Sequence, residues 1–172
     1  NHSYADLDGF TTPISKAATF AARKGMIVCN SAGNAGNGSW YYISAPADAD
    51  SIITVGSINQ NSEVSNFSSK GPTYDGRLKP TVSAQGENTT IYNPNNTIST
   101  SSGTSFSSPI IAGMTACLWQ ANYQKSAQEI IAAIVASSHL VDNPNFNIGN
   151  GIPNFSVANA ILKVDDVDTP LL

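Results

Sequence analysis

From Ser107 to Tyr123 the chain runs for seventeen residues without one Asp, Glu, Lys or Arg, and mostly small or apolar side chains point every way around a helix drawn on that stretch. A helix with no polar face has to be wrapped by other elements, so the sequence predicts a core helix running through the centre of a layered fold. Met26–Cys29 is a short continuous apolar run of the kind seen in a parallel strand covered on both faces. Ser51-Ile-Ile-Thr-Val-Gly56 is a second run rich in β-branched residues, and Thr81–Ala84 a shorter third. Helical stretches alternate with them. Residues 13 to 24 carry apolar side chains at helical spacing after Thr12, with Pro13 suited to a first helical position and Gly25 to a stop. Ser126-Ala-Gln-Glu129 is a capping-box pattern that opens a helix to about Val135, and another helix is predicted over Ser156–Leu162. This alternation predicts an α/β fold with a mostly parallel sheet. Between the elements, Trp40–Ile43 is read as a loop wall, Phe67–Pro80 as loop and turn, and Asn88–Ser102 as an exposed polar stretch with a weak hairpin.

The charge pattern removes whole classes of partner. Only 12% of the 172 residues are charged, against about 25% in an average protein, and the net charge is −4 with no Lys/Arg cluster. Nucleic-acid binding, which needs concentrated positive charge, is therefore not expected. No apolar run reaches the roughly 20 residues that span a bilayer, so no membrane partner is expected either. The length suits one domain or part of one. The opening at Asn1 without a methionine and the acidic stretch at residues 165–172 lead to the expectation of a piece cut from something longer, with residues 1–164 as one unit and 165–172 as a tail or linker. Cys29 and Cys117 lie in apolar runs and are expected as buried free thiols, a disulfide between them remaining open.

Chemistry enters immediately before the uncharged helix, at Gly103-Thr-Ser-Phe-Ser-Ser-Pro109. A serine at a helix N-terminus sits in the positive potential of unpaired backbone N–H groups, which favours an anion forming beside it. Gly103 lets another backbone approach closely while the chain turns. The plain alternative is that Ser105, Ser107 and Ser108 are competing helix caps. A second glycine-rich loop, Asn30-Ser-Ala-Gly-Asn-Ala-Gly-Asn-Gly-Ser39, follows the first predicted strand, and by itself Asn34 reads as a turn residue.

Taken whole, Gly103–Pro109 resembles the nucleophile motif of the subtilisin-like serine proteases, a Gly-Thr-Ser followed by small residues, a proline and a buried Ala/Gly-rich helix. Ala32-Gly33-Asn34 after an apolar strand is similar to that family's oxyanion motif. Ala45-Pro-Ala-Asp-Ala49 leading into Ser51–Gly56, Phe67-Ser-Ser-Lys-Gly-Pro72, and Leu78-Lys-Pro80 before Ala84-Gln-Gly86 extend the resemblance in the family's order, from about Met26 to Leu162. Gln85 departs from the usual Ala-Pro-Gly. The resemblance implies a doubly wound, mostly parallel sheet of which only the C-terminal part is present. It implies Ser105 as nucleophile and Asn34 as oxyanion donor. It also places Ser31, Ala32 and Gly33 along one wall of a specificity pocket and Ser44 near its base, with Gly103 and Thr104 in the substrate-binding set. No cofactor is implied. Calcium would be admitted by analogy, for which the sequence identifies no site.

The same resemblance puts the catalytic Asp and His before the oxyanion strand, in the order Asp, His, Ser. His2 lies far upstream of that strand's loop and His139 beyond the nucleophile, so neither matches, and Asp6 and Asp8 read as solvated turn residues. A serine without a base is a weak nucleophile, so this chain alone is expected to hydrolyse peptides poorly or not at all. The expected partners are protein or peptide substrates, the missing N-terminal half of the peptidase domain, or a second copy meeting exposed core surfaces. The expected location is secreted or cell-envelope exported. A non-catalytic interaction module is the rival reading.

Overall fold

A computed structural model describes residues 2–164. Its centre is a three-stranded parallel sheet in the order β1 (Cys29–Ser31), β2 (Ile53–Ile58), β3 (Val82–Gln85). A two-stranded antiparallel hairpin, β4 (Thr89–Tyr92) and β5 (Ile98–Ser101), stands apart from it. The described residues also form a short 3-10 helix (Tyr4–Asp6) and four α-helices: α1 (Pro13–Arg23), α2 (Thr104–Ala121), α3 (Ala127–Ala136) and α4 (Phe155–Val164). The predicted α/β architecture is therefore present. The acidic stretch read as a tail, residues 165–172, lies outside the described residues.

Local chemistry sets the helix ends. Thr12 caps α1, its hydroxyl accepting from Ser15 N–H at 3.2 Å, with Pro13 in the first turn and Gly25 beyond the last at φ +90°. Ser126 and Glu129 close the predicted capping box on α3, with bonds of 3.3 and 2.7 Å. The Ser15 hydroxyl also donates to the buried Asp48 at 2.6 Å, and the second oxygen of Asp48 accepts from Gly9 N–H at 2.7 Å. This acid ties α1 to the 44–49 loop.

One apolar cluster joins the sheet to three helices: Ile53 and Val55 of β2, Val82 and Ala84 of β3, Ile111 and Leu118 of α2, Ile130 and Ile134 of α3, and Leu162 of α4. Each fully buried Ile or Leu contributes about 1.5–3 kcal/mol relative to exposure. Every residue of β2 is buried, as its sequence predicts, because it has a strand on each side.

Four expectations need correction. The first strand begins at Cys29 rather than Met26, because its partner β2 begins at Ile53 and the pairing starts at Cys29↔Ile53; Met26 is 61% exposed. β1 is only half-buried, since β2 pairs with one edge and the other edge is open among the described residues. The helix expected to be covered on all sides is covered on one. Thr104, Ser107, Ile111, Thr115 and Leu118 of α2 are buried, while Ile110 (42% exposed), Met114 (43%) and Cys117 face outward. The two cysteines are accordingly not both buried. Both are free, with Cys117 exposed on the open side of α2 and Cys29 half-buried, where burial pushes its thiol up to about 11.

Candidate active site

Two loops meet at the start of α2. The first leaves β1 and carries Ala32, Gly33 and Asn34; the second follows β5 and ends at Gly103, which leads directly into Thr104 and Ser105, the first two residues of α2. The hairpin is pinched shut at its base, where Gly103 N–H donates to Gly86 C=O at 2.7 Å. A Cβ at Gly86 would lie 2.7 Å from the Gly103 oxygen and 2.6 Å from Ser57 Oγ, so no side chain fits there. The excursion of residues 87–102 thus leaves and returns at one point, and the chain enters α2 from a fixed position.

Gly103, not a serine, is the N-cap residue of α2, so the helix-cap alternative does not describe Ser105 or Ser108. Ser107 instead donates its hydroxyl back to Thr104 C=O at 3.0 Å. Ser105 is the second helical residue and is exposed. Its backbone N–H belongs to the first turn, which has no intrahelical acceptor.

The carboxamide of Asn34 reaches this turn. Its Oδ1 accepts from Thr104 N–H at 2.8 Å and from the Thr104 hydroxyl at 2.9 Å. The hydroxyl in turn accepts from Gly33 N–H at 3.2 Å, so its own proton is directed to Asn34. Because the oxygen is held by two donors, Nδ2 is the end left to donate. It lies beside Gly103, where a Cβ would come within 3.4 Å of it. Two N–H donors, Asn34 Nδ2 and Ser105 N, therefore flank the start of α2 beside an exposed serine hydroxyl. Such a pair is what stabilises an oxyanion formed by attack of that hydroxyl on a carbonyl.

The remaining candidates gather around them. Ser31 ends β1, and its C=O accepts from Asn30 at 2.7 Å. Ser44 N–H donates to Ala32 C=O at 3.3 Å, and Ser44 Oγ lies 3.8 Å from the Cβ position of Gly33. Ser31, Ala32, Gly33 and Ser44 thus line a common stretch next to Asn34. Thr104 is fully buried with both ends of its hydroxyl engaged.

Behind Asn34 stands a third loop. Ser69 N–H donates to Gly33 C=O at 2.9 Å, Ser69 Oγ accepts from Ala35 N–H at 3.0 Å, and Gly36 N–H donates to Phe67 C=O at 2.8 Å. Ser69 lies in the Phe67–Pro72 segment, yet nothing in the sequence around it points to this role. A role through bonds to residues more than thirty positions away leaves no local signal.

Neither histidine joins the cluster. His2 is an exposed residue ahead of the first turn, and His139 Nδ1 accepts from Ile152 N–H at 2.9 Å, closing the turn after α3. Asp6 accepts from Ser3, and Asp8 from Phe10 N–H, Thr11 N–H and the Thr11 hydroxyl, so both acids organise their own turns. Among the described residues no three or more His, Cys, Asp or Glu side chains come together as a group that could hold a metal ion. No described helix is long and apolar enough to cross a membrane.

Comparison with known proteins gives a consistent result. The sequence profile of the subtilase family matches residues 1–151. The chain is 34% identical over 139 residues to the serine protease AprX of Bacillus subtilis strain 168, covering 69% of this chain and 31% of that protein. It is 30% identical over 149 residues to subtilisin DY of Bacillus licheniformis, covering 86% and 52%. Among solved structures, the patellamide maturation protease PatA shares the fold, with a TM-score of 0.73 over 95% of this chain and 60% of that one at 23% identity. MycP1 from the ESX-1 type VII secretion system gives 0.68 at 25% identity, over 87% and 46%. The chain spans about a third to a half of the length of these curated relatives.

Proposed function

As the chain belongs to the subtilase family, a family of serine proteases, we propose that it carries the nucleophile and oxyanion half of a serine endopeptidase. The observation that carries this reading is the tethered carboxamide: Thr104 holds Asn34 Oδ1 and leaves Nδ2 to donate beside Ser105. In the proposed reaction a histidine base from outside these residues takes the Ser105 proton while Oγ attacks a peptide carbonyl. The carbonyl oxygen becomes an oxyanion held by Asn34 Nδ2 and Ser105 N–H. Collapse breaks the C–N bond, the base returns its proton to the leaving amine, and an acyl-enzyme remains on Ser105. Water, deprotonated by the same base, then releases the acid. The chain alone lacks that base and is expected to turn over substrate poorly or not at all.

Substrate is proposed to enter along the Ser31–Gly33 backbone, with Ser44 near the base of the specificity pocket. The open edge of β1 and the outward face of α2 are proposed to receive the rest of the peptidase domain. Export from the cell belongs to the same reading, supported by family membership and by a composition low in charge.

The test is labelling with a fluorophosphonate probe, applied to this chain alone and to the chain joined by the remainder of its domain, each with and without Ser105→Ala. Labelling that needs the remainder and disappears in Ser105→Ala is the expected result. A folded assembly that never labels would replace this reading with a non-catalytic module. In the active assembly Asn34→Ala should lower turnover about 100- to 1,000-fold, a magnitude known for this family rather than derived from this chain.

A further inference from the structure

We propose that Ser69 is a positioning residue for the oxyanion donor: it brackets Asn34 from both sides and fixes the backbone from which the carboxamide projects. The inference rests on the endopeptidase reading of the site.

Three observations carry it. Ser69 N–H donates to the C=O of Gly33, the residue before Asn34, at 2.9 Å. Ser69 Oγ accepts the N–H of Ala35, the residue after Asn34, at 3.0 Å. Gly33, at φ +112°, has no room for a side chain, because a Cβ there would lie 2.8 Å from that same Oγ. One serine therefore controls the peptide groups on either side of Asn34 and packs against the glycine that turns the chain into it.

Ser69 is itself immobilised. It is fully buried, and its neighbour Ser68 accepts from Ser57 N–H of β2 at 3.0 Å while Ser68 N–H donates to Ser65 C=O at 2.9 Å. Ser57 and Ser65 join hydroxyls at 2.9 Å. A Cβ at Gly36 would collide with Ser68 C=O, so the two loops meet backbone to backbone. The restraint on Asn34 thus runs from the central strand through a buried set of serines. Thr104 orients the carboxamide and also accepts from Gly33 N–H, while Ser69 alone holds Gly33 C=O and Ala35 N–H, the peptide groups on either side of Asn34. An oxyanion donor works by being in place before charge develops, and displacement by a fraction of an ångström weakens it in the transition state more than in substrate binding.

The experiment is a double-mutant cycle in the full-length protein, with kcat and KM read on a peptide p-nitroanilide. Ser69→Ala is expected to lower kcat about tenfold, with KM changed less than about twofold. In an Asn34→Ala background the same substitution should change kcat hardly at all, since the group it positions is gone. Equal losses in both backgrounds, or no loss in either, would overturn the proposal. Ser69→Cys, slightly larger than serine but retaining a weak acceptor, completes the same cycle where Ser69→Ala does not fold, and is expected to fall between wild type and alanine. Hydrolysis unaffected by Ser105→Ala would instead sink the endopeptidase reading, a separate outcome from additive losses at Ser69.

Discussion

Lys79 shows how far a single residue can go against the usual rules. It is 5% exposed, and its ammonium has one carbonyl partner, Ile52 C=O at 3.2 Å. Burial drives its pKa down to about 7, with the positive charge of Arg77 pushing the same way and Asp50 and Asp48 opposing. In the unfolded chain the same group titrates near its ordinary value of about 10.4. Between pH 7 and that value the unfolded state binds more protons, so stability should rise with pH across this window, and the gain should be lost progressively as pH falls from about 10 back to 7. Lys79→Met should flatten that rise, with a stability difference on the order of a few kcal/mol between the two ends of the window. Thermal midpoints of both proteins measured from pH 6.5 to 10 decide it, and parallel curves would show that the amine is solvated after all.

At the scale of an element, α2 has a composition suited to burial all round and a position that buries one side. A Cβ at Gly113, on its exposed side, meets nothing within 4 Å. Gly113→Leu should therefore stabilise this chain by about 0.5–1 kcal/mol through helix propensity alone. The same leucine should block docking of the remaining domain if that face is where it packs. Thermal denaturation of the chain gives the first number, and titration with the segment proposed to complete the domain gives the second. Unimpaired docking of the leucine variant would remove α2 from the proposed interface.

For the molecule as a whole, the relevant facts are a parallel edge at β1 that is unpaired among the described residues and an apolar flank on α2, on a chain matching 31% and 52% of the lengths of AprX and subtilisin DY. Unpaired strand edges and apolar patches attract further chains. Sedimentation velocity of the chain alone should show concentration-dependent self-association, replaced by a single complex when the segment proposed to complete the domain is added. A monodisperse monomer at high concentration would mean that these surfaces are tolerated in water and need no partner.

Much of the fold was legible because it is local. Thr12 and Pro13 start α1, Gly25 stops it, Ser126 and Glu129 start α3, and the β-branched run before Gly56 becomes the buried central strand. The candidate site was half legible: two loop motifs could be read as similar to a family's, and they do meet. The start of β1 was misplaced because pairing with Ile53, and not apolarity, decides where a strand begins. By itself, then, the sequence determined the order of elements and the two loops that carry Asn34 and Ser105, since caps, periodicity and motifs act between near neighbours. Tertiary structure alone decided which end of the Asn34 amide is free, that Ser69 brackets it, and which flank of α2 stays open. Those outcomes depend on hydrogen-bond partners seventy and thirty-four residues apart in the chain and on what packs beside a helix, and no local pattern encodes either.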